Sequence, residues 1–276
     1  MVIGARIGAG REAEVHAWGD DAVIKLFRPG FTGHRTETAA LAALDGHQPA
    51  GRAGADAASF LAPRLLDIVD HDGRTGLVLE RLAGRDMLAL LGRHPARLRD
   101  WARILAETHR AVHAVAAPAD LPDLRDVLTT RIEQAPLPPA LRSYALNVLS
   151  GLPDGDRLLH GDFHPGNVLV AGDRISVIDW VNATRGVPEA DHARTLLLLR
   201  WSALPPDAPA ALRVLLRAGR SLLARQYARA YVRGFHDSRG SHRSSSTVVA
   251  WLTVHAAARL SEGIEAEHPA LIRLVE

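Results

Sequence analysis

Hydrophobic residues in this sequence change their rhythm once, near Gly84. Before that point they alternate or gather in short runs, and beyond it they return at helical spacing through most of the remaining chain. A period of two suits a strand and a period near 3.6 suits a helix, so the change predicts a strand-rich part followed by a helix-rich part. In residues 1–83, ARIGAGREAEVHAW and DAVIKLF are joined by the turn GDD, and APRLLDIVDHDGRTGLVLERL folds about a DGR turn. Between them TETAALAAL reads as a helix capped by Thr36 with acid in its first turn. The expected product is a small mixed sheet carrying one helix.

In residues 84–276, helices are expected over 97–115, over PALRSYALNVLSGL and along the run from Asp191 to Gly234, with Pro-rich joints at 136–139 and 204–209. The small polar stretch DSRGSHRSSST, 237–247, reads as a loop. One stretch breaks the helical pattern: in RLLHGDFHPGNVLVAGDRISVIDW, 157–180, NVLV and RISVIDW flank AGD as a second small hairpin. A chain of 276 residues that is 47% hydrophobic can bury a sizeable core. The fold class expected is therefore α+β: a mixed-sheet N-terminal lobe, 1–83, and a mostly helical C-terminal lobe, 84–276.

Charge and composition narrow the function. The 33 basic residues are balanced by 31 acidic ones along the whole chain, with no basic stripe interleaved with aromatics, which argues against nucleic-acid binding. No apolar run approaches the roughly 18 residues of a membrane span, and MVIGARIGAGREAEV lacks the pattern of a signal peptide, so a cytoplasmic protein with no membrane partner is expected. Nothing points to an obligate protein partner. The absence of cysteine removes disulfides and thiolate zinc sites. Of the 33 basic residues only Lys25 is a lysine, which suits a position needing a compact ammonium where a planar guanidinium does not substitute.

The segment 157–180 admits two chemistries. His160, Asp162 and His164 alternate along an extended segment and could ligate zinc in a hydrolase. Alternatively, Asp162 and Asn167 at a spacing of five, followed after the hairpin by Asp179, match a phosphoryl-transfer site. There Asp162 takes the proton of an attacking hydroxyl while Asn167 and Asp179 hold magnesium through hard oxygen atoms.

The second chemistry makes demands upstream, and candidates stand there in order. Residues 7–15, IGAGREAEV, follow G-x-G-x-x-G-x-V with Gly8, Gly10 and Val15 in place and Ala13 at the third glycine. Bare backbone at such positions lets amide groups approach phosphate oxygens. AVIK then places Lys25 near the end of a strand, and Glu37 on the next helix could hold it by an ion pair, although a lone helical glutamate is ordinarily solvated. LVLERLAG, 77–84, is an apolar strand running into a glycine, with Glu80 and Leu82 placed to offer backbone groups to an adenine edge.

On these residues the chain resembles the aminoglycoside phosphotransferase family, within the wider protein-kinase-like group that includes choline, homoserine and methylthioribose kinases. HGDFHPGNVLV is similar to that family's catalytic loop and VIDW to its magnesium-binding segment. The resemblance implies a bilobal protein-kinase-like fold and an ATP-dependent (or other nucleoside-triphosphate-dependent) transfer to a hydroxyl of a small molecule. It implies Asp162 as catalytic base, Asn167 and Asp179 as ligands of Mg2+, and Lys25 with Glu37 as phosphate lysine and partner. It further implies that His160 packs to shape the loop, that His164 is a loop residue rather than a ligand, and that Asp191 braces the loop, unless it is only a helix cap.

Two departures bear on the substrate. Gly161 stands where protein kinases carry an arginine that senses a phosphorylated activation loop, and the segment after Asp179 is too short for such a loop, so a small-molecule acceptor is favoured. Ala13 at the third glycine position narrows nucleotide approach a little. A polycationic acceptor would need an acidic wall, for which Glu189, Asp191, Glu262, Glu265 and Glu267 are the carboxylates at hand. A nucleotide-binding pseudokinase is the alternative outside catalysis, and the zinc hydrolase the alternative within it.

Overall fold

The computed structural model describes residues 3–45, 60–203, 210–236 and 245–276. Strands β1 (Arg6–Ala9), β2 (Ala13–Trp18), β3 (Ala22–Phe27), β4 (Leu65–His71) and β5 (Arg74–Glu80) form one sheet in the order β1-β2-β3-β5-β4. Every pairing in it is antiparallel, which corrects the mixed sheet expected from the sequence. Tight turns join antiparallel neighbours, and only a long crossover can deliver a parallel one. The one long connection runs through α1 (Gly33–Asp45) and places β4 at the sheet edge beside β5, away from β3.

Helix α1 starts three residues before Thr36, so Thr36 is not its cap. Its buried stripe is Glu37, Ala40, Leu41 and Leu44, at the spacing of one helical face. In β3 the period of two decides what faces the inter-lobe cleft: Val23 and Lys25 line it, while Ile24 and Leu26 pack with Val78 in a separate cluster.

After β5 the chain enters the helical lobe through β6 (Arg85–Asp86) and α2 (Met87–Arg93), where the Asp86 side chain caps the helix by accepting the amide of Ala89. The helices expected over 97–115 and 139–152 are α3 (Leu98–Ala114) and α5 (Pro139–Ser150), with α4 (Leu124–Gln134) between them. Strand β7 (Arg157–Leu159) leads into the segment 160–167. The expected hairpin is β8 (Val168–Ala171) and β9 (Arg174–Val177); β8 also pairs with β6, and β10 (Thr184–Gly186) pairs with β7. The helical run from Asp191 divides into α6 (Pro188–Trp201) and α7 (Ala210–His236), and α8 (Ser245–Arg259) and α9 (His268–Val275) complete the fold. The joint at 204–209 and residues 237–244 of the expected loop lie outside the described residues, while Ser245–Thr247 open α8.

One core runs from Phe27 and Leu77 of the sheet and Leu41 of α1, through Met87, Leu105, Phe163 and Trp180, to Tyr227 of α7. A second joins α4, α5, α6, α8 and α9 around Ile132, Leu197 and Trp251. Helix α6 is buried from Ala190 through Leu199, so its polar members Asp191, His192, Arg194 and Thr195 are buried with it. Backbone bonds from Leu61 to Ile175 and from Val177 to Leu61 stitch the sheet lobe to the β8–β9 hairpin.

Candidate active site

Lys25 Nζ lies 2.8 Å from Glu37 Oε2 and 2.7 Å from Asp179 Oδ1. Glu37 is only 1% exposed and its Oε1 also accepts the amide of Trp180, so the solvated reading of this glutamate is corrected. Burial works against the ammonium form of Lys25, but the two carboxylates outweigh it and raise the pKa above the usual lysine value.

A cleft of about 450 Å³ lies between the lobes. Eight of the residues selected from sequence line it: Gly8, Val15, Lys25, Glu37, Glu80, Leu82, Asn167 and Asp179. Its apolar walls come from Ile7, Val23, Leu79, Leu169 and Ile178. Gly10 sits outside the lining and closes the turn by donating its amide to Ala13 O. A β-carbon on Gly8 would touch only Val15, at 3.8 Å, and one on Gly10 only Ala13 O, at 3.7 Å; neither residue has a positive φ. Packing within the protein therefore does not require glycine at either position, and the bare backbone leaves room for something outside it. Along the connector, the amides of Glu80 and Arg81 are spent on Arg64 O and Asp21 O. No backbone bond to Leu82 occurs among the described residues.

The candidate catalytic segment that begins at His160 is held by α6. Asp191, 2% exposed, accepts the amides of His160 at 2.7 Å and Gly161 at 3.0 Å, and its Oδ2 also meets Nε2 of His109 and His113 at 3.0 and 3.2 Å. The side chain thus braces the loop and does not cap its own helix. Gly161 has φ +75°, and a β-carbon there would stand 2.1 Å from Asn182 O, so an arginine at this position is sterically excluded.

His160 is fully buried; Nε2 meets Ile178 O at 3.1 Å and Nδ1 accepts the amide of Asp162. Both ring nitrogens are committed inside the loop, which overturns the zinc reading of His160, Asp162 and His164. The described residues whose ligand atoms do converge are His109, His113 and Asp191, within 4.8 Å of one another. There the imidazoles already bond the carboxylate, while their Nδ1 atoms meet the hydroxyls of Tyr227 and Tyr231 at 2.7 and 2.6 Å.

Asp162 is 28% exposed in its side chain and opens into a second cavity of about 340 Å³ adjoining the loop. Burial raises its pKa, but His164, 3.6 Å from Oδ2, and Arg194 outweigh this and hold the carboxyl well below its ordinary value. Asn167 donates its Nδ2 to Asp162 O, so Oδ1 is the acceptor end of its side chain, and the residue lines the cleft together with Asp179.

The sequence matches the profile of the phosphotransferase enzyme family over residues 4–235. The chain belongs to that family. As a member it is a phosphotransferase. A search of curated proteins found no match. Among solved structures, the phosphotransferase is similar to a complex of aminoglycoside phosphotransferase APH(4)-Ia with ADP and hygromycin B, at 18% identity, 99% and 92% coverage of the two chains and a TM-score of 0.64. It is similar also to amicoumacin kinase hAmiN in complex with AMP-PNP, Ca2+ and Ami, at 14% identity, 99% and 86% coverage and a TM-score of 0.62. A choline/ethanolamine kinase family protein from Mesorhizobium loti aligns at 13% identity, 99% and 87% coverage and a TM-score of 0.59. At these identities the likeness establishes the protein-kinase-like fold. Among the described residues of the phosphotransferase, no helix is long and apolar enough to cross a membrane.

Several site residues of the phosphotransferase escaped the sequence reading. His109 and His113 stand one helical turn apart on α3, a spacing that places both on one face and was the available signal. Arg194, whose Nε donates to Gly161 O, carried no signal in an arginine-rich chain. Neither did Arg11, Arg220 and Arg259, which line the second cavity with Asp162.

Proposed function

We propose that this chain transfers the γ-phosphate of ATP to a hydroxyl of a small molecule, with the nucleotide in the 450 Å³ cleft and the acceptor in the cavity beside Asp162. The observation that carries the reading is convergence: residues as distant in sequence as Gly8, Lys25, Leu82 and Asp179 line one cleft with apolar walls, and Asp162 opens just beyond it. Lys25 supplies the cation for the phosphates, and Glu37 fixes its direction. Leu82 offers the unspent backbone groups of the connector to the adenine edge.

The donor set fits a hard divalent cation: Asn167 Oδ1 and the Asp179 carboxylate would hold magnesium, and the bound ion would neutralise charge on the phosphates. Asp162 orients the acceptor hydroxyl and receives its proton. The acceptor oxygen bonds to the γ-phosphorus, the bond from that phosphorus to the bridging oxygen breaks, and ADP leaves with the electron pair. A carboxylate held ionised by His164 and Arg194 suits a loose transition state, in which alignment matters more than base strength.

The test is magnesium-dependent ADP release across a panel of hydroxylated acceptors, scored by phosphorylated product, with Asp162→Ala as control. Product formation that survives in Asp162→Ala would remove Asp162 from the reaction. Failure of Mg-AMP-PNP to bind at the Lys25 cleft would remove the reading itself.

A further inference from the structure

We infer that the acceptor is an anion: a hydroxylated carboxylic acid with an apolar body whose carboxylate pairs with Arg220. The inference rests on the functional reading above and concerns the cavity that Asp162 shares with α2, α6, α7 and the segment after α8.

The argument is one of charge. The carboxylates around this cavity are largely spent. Glu262 bonds Arg194 at 2.7 Å and Arg259 at 3.0 Å, with Arg11 3.8 Å away, and Glu267 bonds Arg259 at 2.5 Å while accepting the amide of Ala203. Arg194 and Arg259 thus offset Glu262 and Glu267, and a polycation entering here would meet only Asp162, itself 3.6 Å from His164, as an acid not bonded to an arginine. Arg220 is in the opposite condition. It donates to Ser202 O at 2.7 Å and Leu198 O at 3.4 Å, and among the described residues no carboxylate lies in contact with it. Burial lowers its pKa; the charge of Glu267, already bonded to Arg259, offsets this in part, and the charge of Arg259 adds to the lowering.

The geometry is prepared for a ligand. Two carbonyls pin the guanidinium, so little rotamer entropy remains to be lost, and a guanidinium has five N–H donors, enough to serve both carbonyls and a carboxylate in bidentate fashion. Beside its charged residues the wall carries an apolar stretch, Leu88, Leu198, Leu199 and Leu223, so the carbon skeleton between hydroxyl and carboxylate should be hydrocarbon in character.

The experiment offers the whole protein, with Mg-ATP, 3-hydroxybutyrate, 3-hydroxyoctanoate and mandelate, each beside its methyl ester, and hygromycin B and choline as cationic acceptors. Calorimetry of each acid and ester in the presence of Mg-AMP-PNP runs in parallel. The expected result is binding of an acid roughly tenfold or more tighter than its ester, phosphorylation of that acid, and loss of the preference in Arg220→Gln with partial retention in Arg220→Lys. Mg-AMP-PNP affinity retained in both variants shows that they fold. Faster phosphorylation of hygromycin B or choline than of every acid would overturn the inference while leaving the kinase reading intact. So would an acid bound no better than its ester, including no binding of either. Absence of Mg-AMP-PNP binding in the parent protein is the separate outcome that counts against the kinase reading.

Discussion

Lys25 and Asp179, 154 positions apart in the chain, are joined by a 2.7 Å contact between Nζ and Oδ1. This contact fastens the sheet lobe to the segment after β9 in the helical lobe, and Glu37 completes it from α1. Because Glu37 is almost fully buried, the triad is a structural element as well as a candidate phosphate site.

Replacing Lys25 by alanine should therefore do two things. Nucleotide affinity should fall, and the fold should lose about 3–5 kcal/mol, because Glu37 is left as an uncompensated buried charge. Lys25→Ala combined with Glu37→Leu should recover much of the stability but none of the nucleotide affinity. Urea unfolding and AMP-PNP titration measure the two separately, and a Lys25→Ala protein of parental stability would contradict the account.

Asp162→Asn keeps the size of the side chain and removes its charge. Turnover should fall by about 10²–10⁴ while AMP-PNP affinity stays near that of the parent, since Asp162 faces the acceptor cavity and does not line the nucleotide cleft. Single-turnover product formation at saturating ATP is the deciding measurement.

Asp191→Ala should be among the most damaging single changes in the helical lobe. It strands the amides of His160 and Gly161 and two imidazole N–H groups in a buried site, at about 1–3 kcal/mol for each group left unpaired. Hydrogen exchange at the Gly161 amide should accelerate by orders of magnitude relative to helix interiors. Unchanged protection there would show that the loop is held by something else.

Two glycines should respond in opposite ways. Gly161→Ala drives a β-carbon onto Asn182 O in a left-handed conformation, so at least about 1–3 kcal/mol of stability should be lost, and turnover with it, because Asp162 is the next residue. Gly8→Ala has no such conflict, its β-carbon meeting only Val15 at 3.8 Å. Its unfolding midpoint should hold while nucleotide affinity drops. A Gly8→Ala protein that binds AMP-PNP as tightly as the parent would take the loop out of the nucleotide site.

Acid should unfold the protein through its buried histidines. Burial, aided by His113, lowers the pKa of His109 from 6.5 to about 3, and burial, aided by Arg194, does the same for His255. The unfolded chain takes up these protons near pH 6.5 while the folded one resists until near 3, so both contributions are complete above 6.5 and decline as pH falls through that window. Each histidine should steepen the decline by up to about 1.4 kcal/mol per pH unit. His255→Gln should flatten the plot of unfolding free energy against pH between 6.5 and about 3. A plot that is flat in the parent would mean these imidazoles are not held neutral.

The site was legible where chemistry restricts residue type within a short span. Asp162, Asn167 and Asp179 stand out at fixed spacing, the glycine-rich turn marks itself by two absent side chains, and Lys25 is the only lysine in an arginine-rich chain. Glu37 was legible only as a candidate, because its burial comes from packing against Trp180 and Lys25, which the local sequence does not contain. The arginines of the cavity beside Asp162 were not legible at all, since nothing in a sequence separates an arginine paired to glutamate from one held only by carbonyls.

What the sequence determined by itself was the order of strand and helix along the chain and the set of candidate residues for phosphoryl transfer. Both are written in local periodicity and in short spacings. Three matters were left to the tertiary structure: the antiparallel pairing of the sheet, the bracing of the His160–Gly161 backbone by Asp191, and the charge of the cavity beside Asp162. Each of these depends on which distant groups meet and neutralise one another, and that is fixed only when burial removes the water that would otherwise satisfy every charge and amide separately.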